Sequence, residues 1–278
     1  MRDFCLKHRV VKGALALAAL FCAVGSVFAG DIAILGDSQH YDDIQRRLVE
    51  QIAGWKPSAV FRTGDLVENG LDPLMWARFE KINDPLKRST DYFPCLGNHE
   101  LESPLYFLHF PSLRNRHWYS VDRERVHVIV LDSNTRLDRS SKQYKWLVAD
   151  LKNVPGDSIM TMVIFHHPFF DVSKRHEEDE KHLAPVLLPL FEQSGVALVV
   201  NGHEHNYQHF KHNGIHFVTT GGGGSILCAK NRENSDLLTF AEAFHYCLVS
   251  PQANGEVRVR AIGLDASLID EFVVKGKK

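Results

Sequence analysis

Val199-Val200-Asn201-Gly202-His203-Glu204-His205 closes an apolar, β-branched run with a glycine and then sets two histidines at i and i+2. The run reads as a buried strand, and glycine lets the backbone turn sharply at its end. His203 and His205 leave that turn together and can face one ligand. Imidazole is the commonest protein ligand for a transition metal. A single His-x-His pair is weak evidence, because surface loops produce it too. Its weight comes from other apolar runs that stop in the same chemistry.

Working back from that stretch, Asp31-Ile32-Ala33-Ile34-Leu35 is a short strand ended by Gly36-Asp37-Ser38-Gln39-His40. Asp42 to Gly54 carries Ile44, Leu48 and Ile52 at helical spacing, with Gly54 as its end signal. Ala59-Val60-Phe61 stops at Gly64-Asp65, and Tyr92 to Leu96 stops at Gly97-Asn98-His99-Glu100. Trp118–Val121 and Val126–Leu131 read as paired strands, the second ending at Asp132. Gln143–Leu151 is an amphipathic helix. Met160–Phe165 is a strand ending at His166-His167-Pro168, and Pro185–Gln193 is a helix stopped by Gly195. Beyond the opening stretch, Tyr207–Lys211 and Ile215–Thr219 flank Asn213-Gly214, a strong hairpin signal. Phe244–Val249 and Glu256–Ile262 flank Asn254-Gly255. The front half alternates strand and helix, and the back half reads as a β-meander. The expected fold is α/β: two stacked mixed sheets flanked by helices, a four-layer α/β/β/α sandwich in one domain. The four glycines Gly221–Gly224 lack a following GKS or GKT and read as a flexible turn passing near the site. The charged run Lys174–Lys181 reads as a solvated segment, with His176 at a rim near the His166 loop.

The start of the chain reads as a secretory leader over residues 1–29: basic Arg2, Lys7, Arg9 and Lys12, an apolar run from Ala14 to Val24, then Val27-Phe28-Ala29 before Gly30. The apolar run is shorter than the roughly 20 residues of a spanning helix, so no stable membrane insertion is expected after cleavage. A periplasmic or secreted location follows, with residues 30–278 as the mature domain. Those residues hold 28 basic against 33 acidic side chains, which leaves no electrostatic footprint for nucleic acid. A phosphorylated substrate would then need local cations, and metal ions are the obvious supply. Of the cysteines outside the leader, Cys228 and Cys247 are the pair an oxidising compartment would join; buried thiols are the alternative.

Strand ends are where ligands collect in α/β sheets. Here they present Asp37, Gln39, Asp65, Asn98, His99, His166, His203 and His205. Carboxylate and amide oxygens with imidazoles suit iron, zinc or manganese. Such a set is too large for one tetrahedral ion and suits two ions sharing a carboxylate, roughly 3.5–4 Å apart. A pair of that kind clamps a phosphoryl group and yields a hydroxide nucleophile near neutral pH.

In order and placement, Gly36-Asp37-Ser38-Gln39, Gly64-Asp65, Gly97-Asn98-His99-Glu100, His166-His167-Pro168 and Gly202-His203-Glu204-His205 resemble the five blocks of calcineurin-like metallophosphoesterases, nearest the bacterial, purple-acid-phosphatase-like branch. The resemblance implies a dinuclear-metal phosphoesterase whose bridging hydroxide attacks a small phosphate monoester. Asp37, Gln39 and His205 would bind the first metal, Asp65 would bridge, and Asn98, His166 and His203 would bind the second. His99 would donate a proton to the leaving oxygen or stabilise the phosphoryl group. His40, His167 and His176 would lie just outside the metals or against substrate. Two positions depart from the pattern. Gln39 stands where the family often has His, so His40 is an alternative ligand. Glu68 stands where purple acid phosphatases have Tyr, so a ferric–tyrosinate centre and purple colour are not expected. Two other functions remain open: a phosphodiesterase on cyclic nucleotides or lipid head groups, and a non-catalytic metal-binding module with a weakened first site.

Overall fold

The structure is a computed structural model and describes residues 30–173 and 183–276. The leader, the Lys174–Lys181 run and His176 lie outside the described residues. In chain order the elements are β1 (Ile32–Leu35), α1 (Asp42–Trp55), β2 (Ala59–Arg62), α2 (Pro73–Lys87), β3 (Asp91–Pro94), α3 (Pro104–His109), β4 (Tyr119–Arg123) and β5 (Val126–Val130). They continue with α4 (Lys142–Lys152), β6 (Met160–Ile164), α5 (Ala184–Ser194), β7 (Leu198–Asn201), β8 (Tyr207–His212), β9 (Ile215–Thr220), β10 (Leu237–Ala241), β11 (His245–Pro251), β12 (Val257–Gly263) and β13 (Leu268–Val274).

The strands form two mixed sheets, ordered β13-β12-β11-β1-β2-β3 and β10-β8-β9-β7-β6-β5-β4. In the first sheet β1, β2 and β3 are parallel, while β11 runs antiparallel to β1. In the second, β5, β6, β7 and β9 are parallel. Strands buried on both faces need continuous apolar sequence, and Ile32–Leu35 and Met160–Ile164 are buried at every position. One core lies between the sheets, with Ile32, Phe61, Val128, Ile164 and Val200. A second lies under α4 and α5, with Leu147, Leu187 and Phe191, and a third under α1 and α2, with Leu48, Ile52, Ile82 and Leu86. The order helix, sheet, sheet, helix is the expected four-layer sandwich. No helix among the described residues is long and apolar enough to cross a membrane.

Several expectations shift. Helix α1 runs through Gly54 and ends where Lys56 takes a left-handed φ of 51°. The C-terminal meander divides between sheets: β8–β10 extend the second, whereas β11 crosses back to pair with β1. Asn213 and Gly214, at φ 47° and 86°, make the expected tight hairpin turn. Gly221–Gly224 are buried rather than loose, and Gly223 N–H donates to Gly36 O at 2.8 Å. Cys228 and Cys247 are free thiols. Cys247 points into the inter-sheet core beside Thr220, whereas Cys228 sits on the partly exposed loop before β10, its main-chain N–H held by His205 O.

Candidate metal centre

Five strands bring their C-terminal ends to one place, β1, β2 and β3 from one sheet and β6 and β7 from the other. Each needs a turn in little space. At Gly97, a Cβ would meet Asp65 Oδ1 at 2.2 Å, and at Gly202 it would meet Asp37 Oδ2 at 2.4 Å. Those glycines let one strand end lie against the carboxylate of another.

The side chains form two clusters. In the first, His166 Nε2 approaches Asn98 Oδ1 at 2.9 Å, and His203 Nδ1 lies 3.1 Å from both that oxygen and His166 Nε2. Donors at right angles around an ion with bonds of about 2.1 Å stand about 3 Å apart, so this spacing fits octahedral ligation. Two facing imidazole nitrogens need a proton or a cation between them. In the second cluster, ligand atoms of Asp37, Asp65 and His205 lie within 4.8 Å of one another. Asp65 joins the two: its Oδ2 lies 3.3 Å from His166 Nε2 and 3.4 Å from Gln39 Nε2. Asp37 Oδ1 accepts from His203 N–H at 2.8 Å, while Asp37 Oδ2 is buried with no hydrogen-bond partner. An orphaned buried carboxylate oxygen is costly, and a cation would satisfy it.

The rings are pre-set for ligation. A main-chain carbonyl can only accept, so a histidine nitrogen bonded to it carries a proton, and in the neutral ring the other nitrogen keeps its lone pair. His166 Nδ1 donates to Thr63 O and His205 Nδ1 to Ile226 O, both at 2.8 Å. Nε2 of each is left for the centre. Such outer partners are what orients metal-binding histidines. The donor set therefore fits a pair of transition-metal ions.

Burial sets the electrostatics. Asp37 is pushed well above its usual range, by burial first and against the pull of His166. Burial would raise Asp65 as well, but His166 and His99 outweigh it and hold it at about 2. Burial alone would lower His166; Asp65 and Asp37 reverse that and raise it to about 10. The carboxylates thus attract positive charge strongly.

Around these clusters, His99 donates Nδ1–H to Glu68 O at 2.7 Å and turns Nε2 toward Asp65 Oδ2, 4.0 Å away. Its side chain is 28% exposed, which leaves the ring open to solvent. Gln39 faces Asp65 with its nitrogen, while its oxygen accepts from Ser225 Oγ; the end that would hold a cation is engaged elsewhere. His40 pairs through Nε2 with Glu68 at 2.9 Å, and its Nδ1 is buried without a hydrogen bond. His167 places a ring nitrogen within 4.8 Å of His166 and His203 and bonds Ser133 Oγ through Nδ1 at 2.7 Å.

Two supports were not evident from sequence. Glu100 is fully buried and accepts the N–H groups of Asp65, Leu66 and Gly97 at 3.0, 2.8 and 2.6 Å. Arg62 is buried at the end of β2 and donates to Leu35 O, Asn83 Oδ1, Tyr92 Oη and Ser38 Oγ. Glu100 closes a quoted block and so carried a signal; Arg62 lies inside an apolar strand and carried none.

Residues 30–207 match the family described as calcineurin-like phosphoesterase. Purple acid phosphatase 18 of Arabidopsis thaliana is 32% identical over 186 residues, 58% of this chain and 42% of that protein. The chain spans about half the length of the curated relatives it matches. Among solved structures, a purple acid phosphatase from yellow lupin seeds aligns with a TM-score of 0.76 at 16% identity, covering 89% of this chain and 54% of that one. GAP50, the anchor in the inner membrane complex of Plasmodium, aligns with a TM-score of 0.76 at 17% identity, covering 90% of each chain. These two likenesses are of fold.

Proposed function

The chain belongs to the calcineurin-like phosphoesterase family, and from that premise we propose that it hydrolyses small phosphate monoesters with two transition-metal ions. The observation that carries this reading is the pair of clusters sharing Asp65, with the lone pairs of His166 and His205 aimed inward. Asn98, His166 and His203 would hold one ion, Asp37 and His205 the other, and Asp65 both. Iron, manganese and zinc all suit these donors. When bound, the metals would neutralise phosphoryl charge and supply the nucleophile.

The protein's own part is orientation and proton transfer. Asp37 Oδ1 takes the His203 N–H, which fixes the β7 turn to the β1 turn. Thr63 O and Ile226 O hold the ligand rings. His99, anchored through Nδ1 on Glu68 O, presents Nε2 from a part-exposed position and would protonate the leaving oxygen there.

Residues 1–29 would be removed as a secretory leader, placing residues 30–278 in the periplasm or outside the cell. The basic start, the short apolar run and Val27-Phe28-Ala29 support that reading. A mature N-terminus other than Gly30 would count against it.

The reaction is tested with His203→Ala and His99→Ala. The first should lower metal content and abolish turnover. The second should keep its metal yet lose turnover, by about 10²–10⁴-fold for a general acid. Normal turnover in His99→Ala removes that assignment. Faster hydrolysis of a p-nitrophenol diester than of p-nitrophenyl phosphate would favour the diesterase reading. Fewer than one bound ion, with no hydrolysis after adding manganese, iron or zinc, would favour a binding module.

A further inference from the structure

Two cavities flank the metal centre. One, of about 250 Å³, opens beside Gln39 and His40 and is lined by Asp42, Asp43, Glu68 and a single guanidinium, Arg78. Its carboxylates outnumber that cation and disfavour an anionic ester. The other, of about 550 Å³, lies between the loop after β5, from Ser133 to Asp138, and the start of α5, with His167 at one end. It has the size of a small-molecule pocket. His167 ties it to the centre, since its ring nitrogen lies within 4.8 Å of those of His166 and His203. A phosphoryl group held at the metals would send its alcohol portion past His167 into this space.

The walls identify the occupant. Leu137, Leu183 and Val186 supply apolar surface. The polar side chains are largely committed to the protein itself. Asn134 donates to Asp132 Oδ1 at 3.0 Å, and Thr135 donates to Asp132 O at 3.2 Å. Arg136 and Asp138 form their own exposed ion pair at 2.7 Å, so the loop carries one charge of each sign and no net charge. The loop is also braced from behind: Asp132 is fully buried, its carboxylate bonds His117 at 2.9 Å, and its main-chain N–H and C=O bond the Gln143 side-chain amide at 2.8 and 2.9 Å. A braced loop with an apolar facing wall recognises by shape and burial rather than by charge.

We propose that this cavity is the leaving-group subsite and that it takes bulky, uncharged, apolar alcohols, so that aryl phosphates are the preferred class. The proposal rests on the phosphoesterase reading above. Ser133 is a positioning residue within it: its Oγ accepts His167 N–H at 3.1 Å and bonds His167 Nδ1 at 2.7 Å, which fixes the ring between centre and cavity.

The test uses the metal-loaded full chain, Val186→Trp, and two kinds of measurement. Val186 is half-buried on the first turn of α5, so a larger side chain can fill the cavity without entering the core. KM and kcat are measured for 2-naphthyl phosphate and glycerol 2-phosphate. Binding of 2-naphthylphosphonate and methylphosphonate is measured separately. The naphthyl phosphonate should bind the wild type at least about tenfold more tightly, the scale of one or two well-packed apolar groups. Val186→Trp should erase that difference and raise KM for naphthyl phosphate by a similar factor, with a much smaller rise for glycerol 2-phosphate. Equal binding of the two phosphonates, or equal effects of the variant on both esters, overturns the subsite. Selective phosphonate binding without hydrolysis keeps the subsite and removes the reaction; hydrolysis without selectivity does the reverse.

Discussion

Glu100→Gln replaces a buried carboxylate by an amide of nearly the same shape. Glu100 accepts three main-chain N–H groups, two on Oε2 from Asp65 and Gly97 and one on Oε1 from Leu66. Glutamine has one oxygen. With that oxygen in the Oε2 position, its NH₂ faces the Leu66 N–H. One charge-assisted bond is lost, at about 1.5–3 kcal/mol, and a buried donor is left unpaired, at about 1–3 kcal/mol. Part of that loss is offset, because burial and then the neighbouring Asp65 push Glu100 up to about 7, so its ionised form is already disfavoured near neutral pH. The net expectation is roughly 2–4 kcal/mol, or roughly 5–15 °C in melting temperature for a domain of this size. Glu100 also fixes Asp65, which sits at a left-handed φ of 50° between the two clusters. Metal content should therefore fall with stability, even though Glu100 is placed at no metal. Thermal melting and metals per chain check both. A variant melting within about 2 °C of wild type with full metal would refute the role given to this carboxylate.

Gly97→Ala should displace Asp65, because its Cβ would stand 2.4 Å from Asp65 N, a main-chain atom with nowhere to go; full metal occupancy in that variant would contradict the packing described. Chelation should lower the melting temperature, and manganese, iron or zinc should restore it. A ligand at a thousandfold excess over its Kd adds about 4 kcal/mol, so no shift on chelation would mean that metals are not bound in the folded state. Burial pushes His216 and His245 down to about 4, with His209 adding to it at His216. Both contribute stability that is full above the unfolded value of 6.5 and is lost as pH falls toward 4. His245→Phe should flatten the denaturant midpoint between pH 7 and pH 4.5, and an unchanged slope would argue against its buried neutral form. His127 runs the other way. Burial opposes its charge, but Asp150 and Asp122, at 2.9 and 2.7 Å, outweigh that and raise it. Its stabilisation is present below the unfolded value and lost as pH rises through the folded one, so His127→Asn should cost more at pH 6 than at pH 9.

The sandwich was legible because its inner strands are buried on both faces and so read as short apolar runs, most of them ended by glycine and Met160–Ile164 by His166-His167-Pro168. Ile32–Leu35, Met160–Ile164 and Leu198–Asn201 sit within a residue or two of where their sequence places them. The unread elements are those whose pattern is diluted. Helix α2 keeps Trp76, Phe79, Ile82 and Leu86 on its buried face, with Asp72 and Pro73 as start signals, but it carries Pro85 inside. Strand β13 is half-exposed at an edge, and Asp270-Glu271 breaks its apolar run; Asp270 is spent on Tyr207 and His209 of the opposite sheet. The strand-end residues could be named because Asp, Asn or His recurs at the end of one apolar run after another, although each alone is ordinary turn chemistry. Their partners could not, because Thr63 O, Glu68 O and Ile226 O are main-chain atoms with no side-chain signature.

Those carbonyls also show why the centre and the fold stand together. The first sheet supplies Asp37, Asp65 and Asn98, and the second supplies His166, His203 and His205. The bonds that set their geometry cross the seam: His203 N–H to Asp37 Oδ1 at 2.8 Å, His166 Nδ1–H to Thr63 O at 2.8 Å, and His166 Nε2 to Asn98 Oδ1 at 2.9 Å. Neither sheet alone holds a complete ligand set for either ion. Cations at the seam would cross-link the sheets at the one end where glycines and carboxylates replace apolar packing. The strand ends therefore forgo core burial locally, and metal binding there would restore that cohesion only when both sheets are in register.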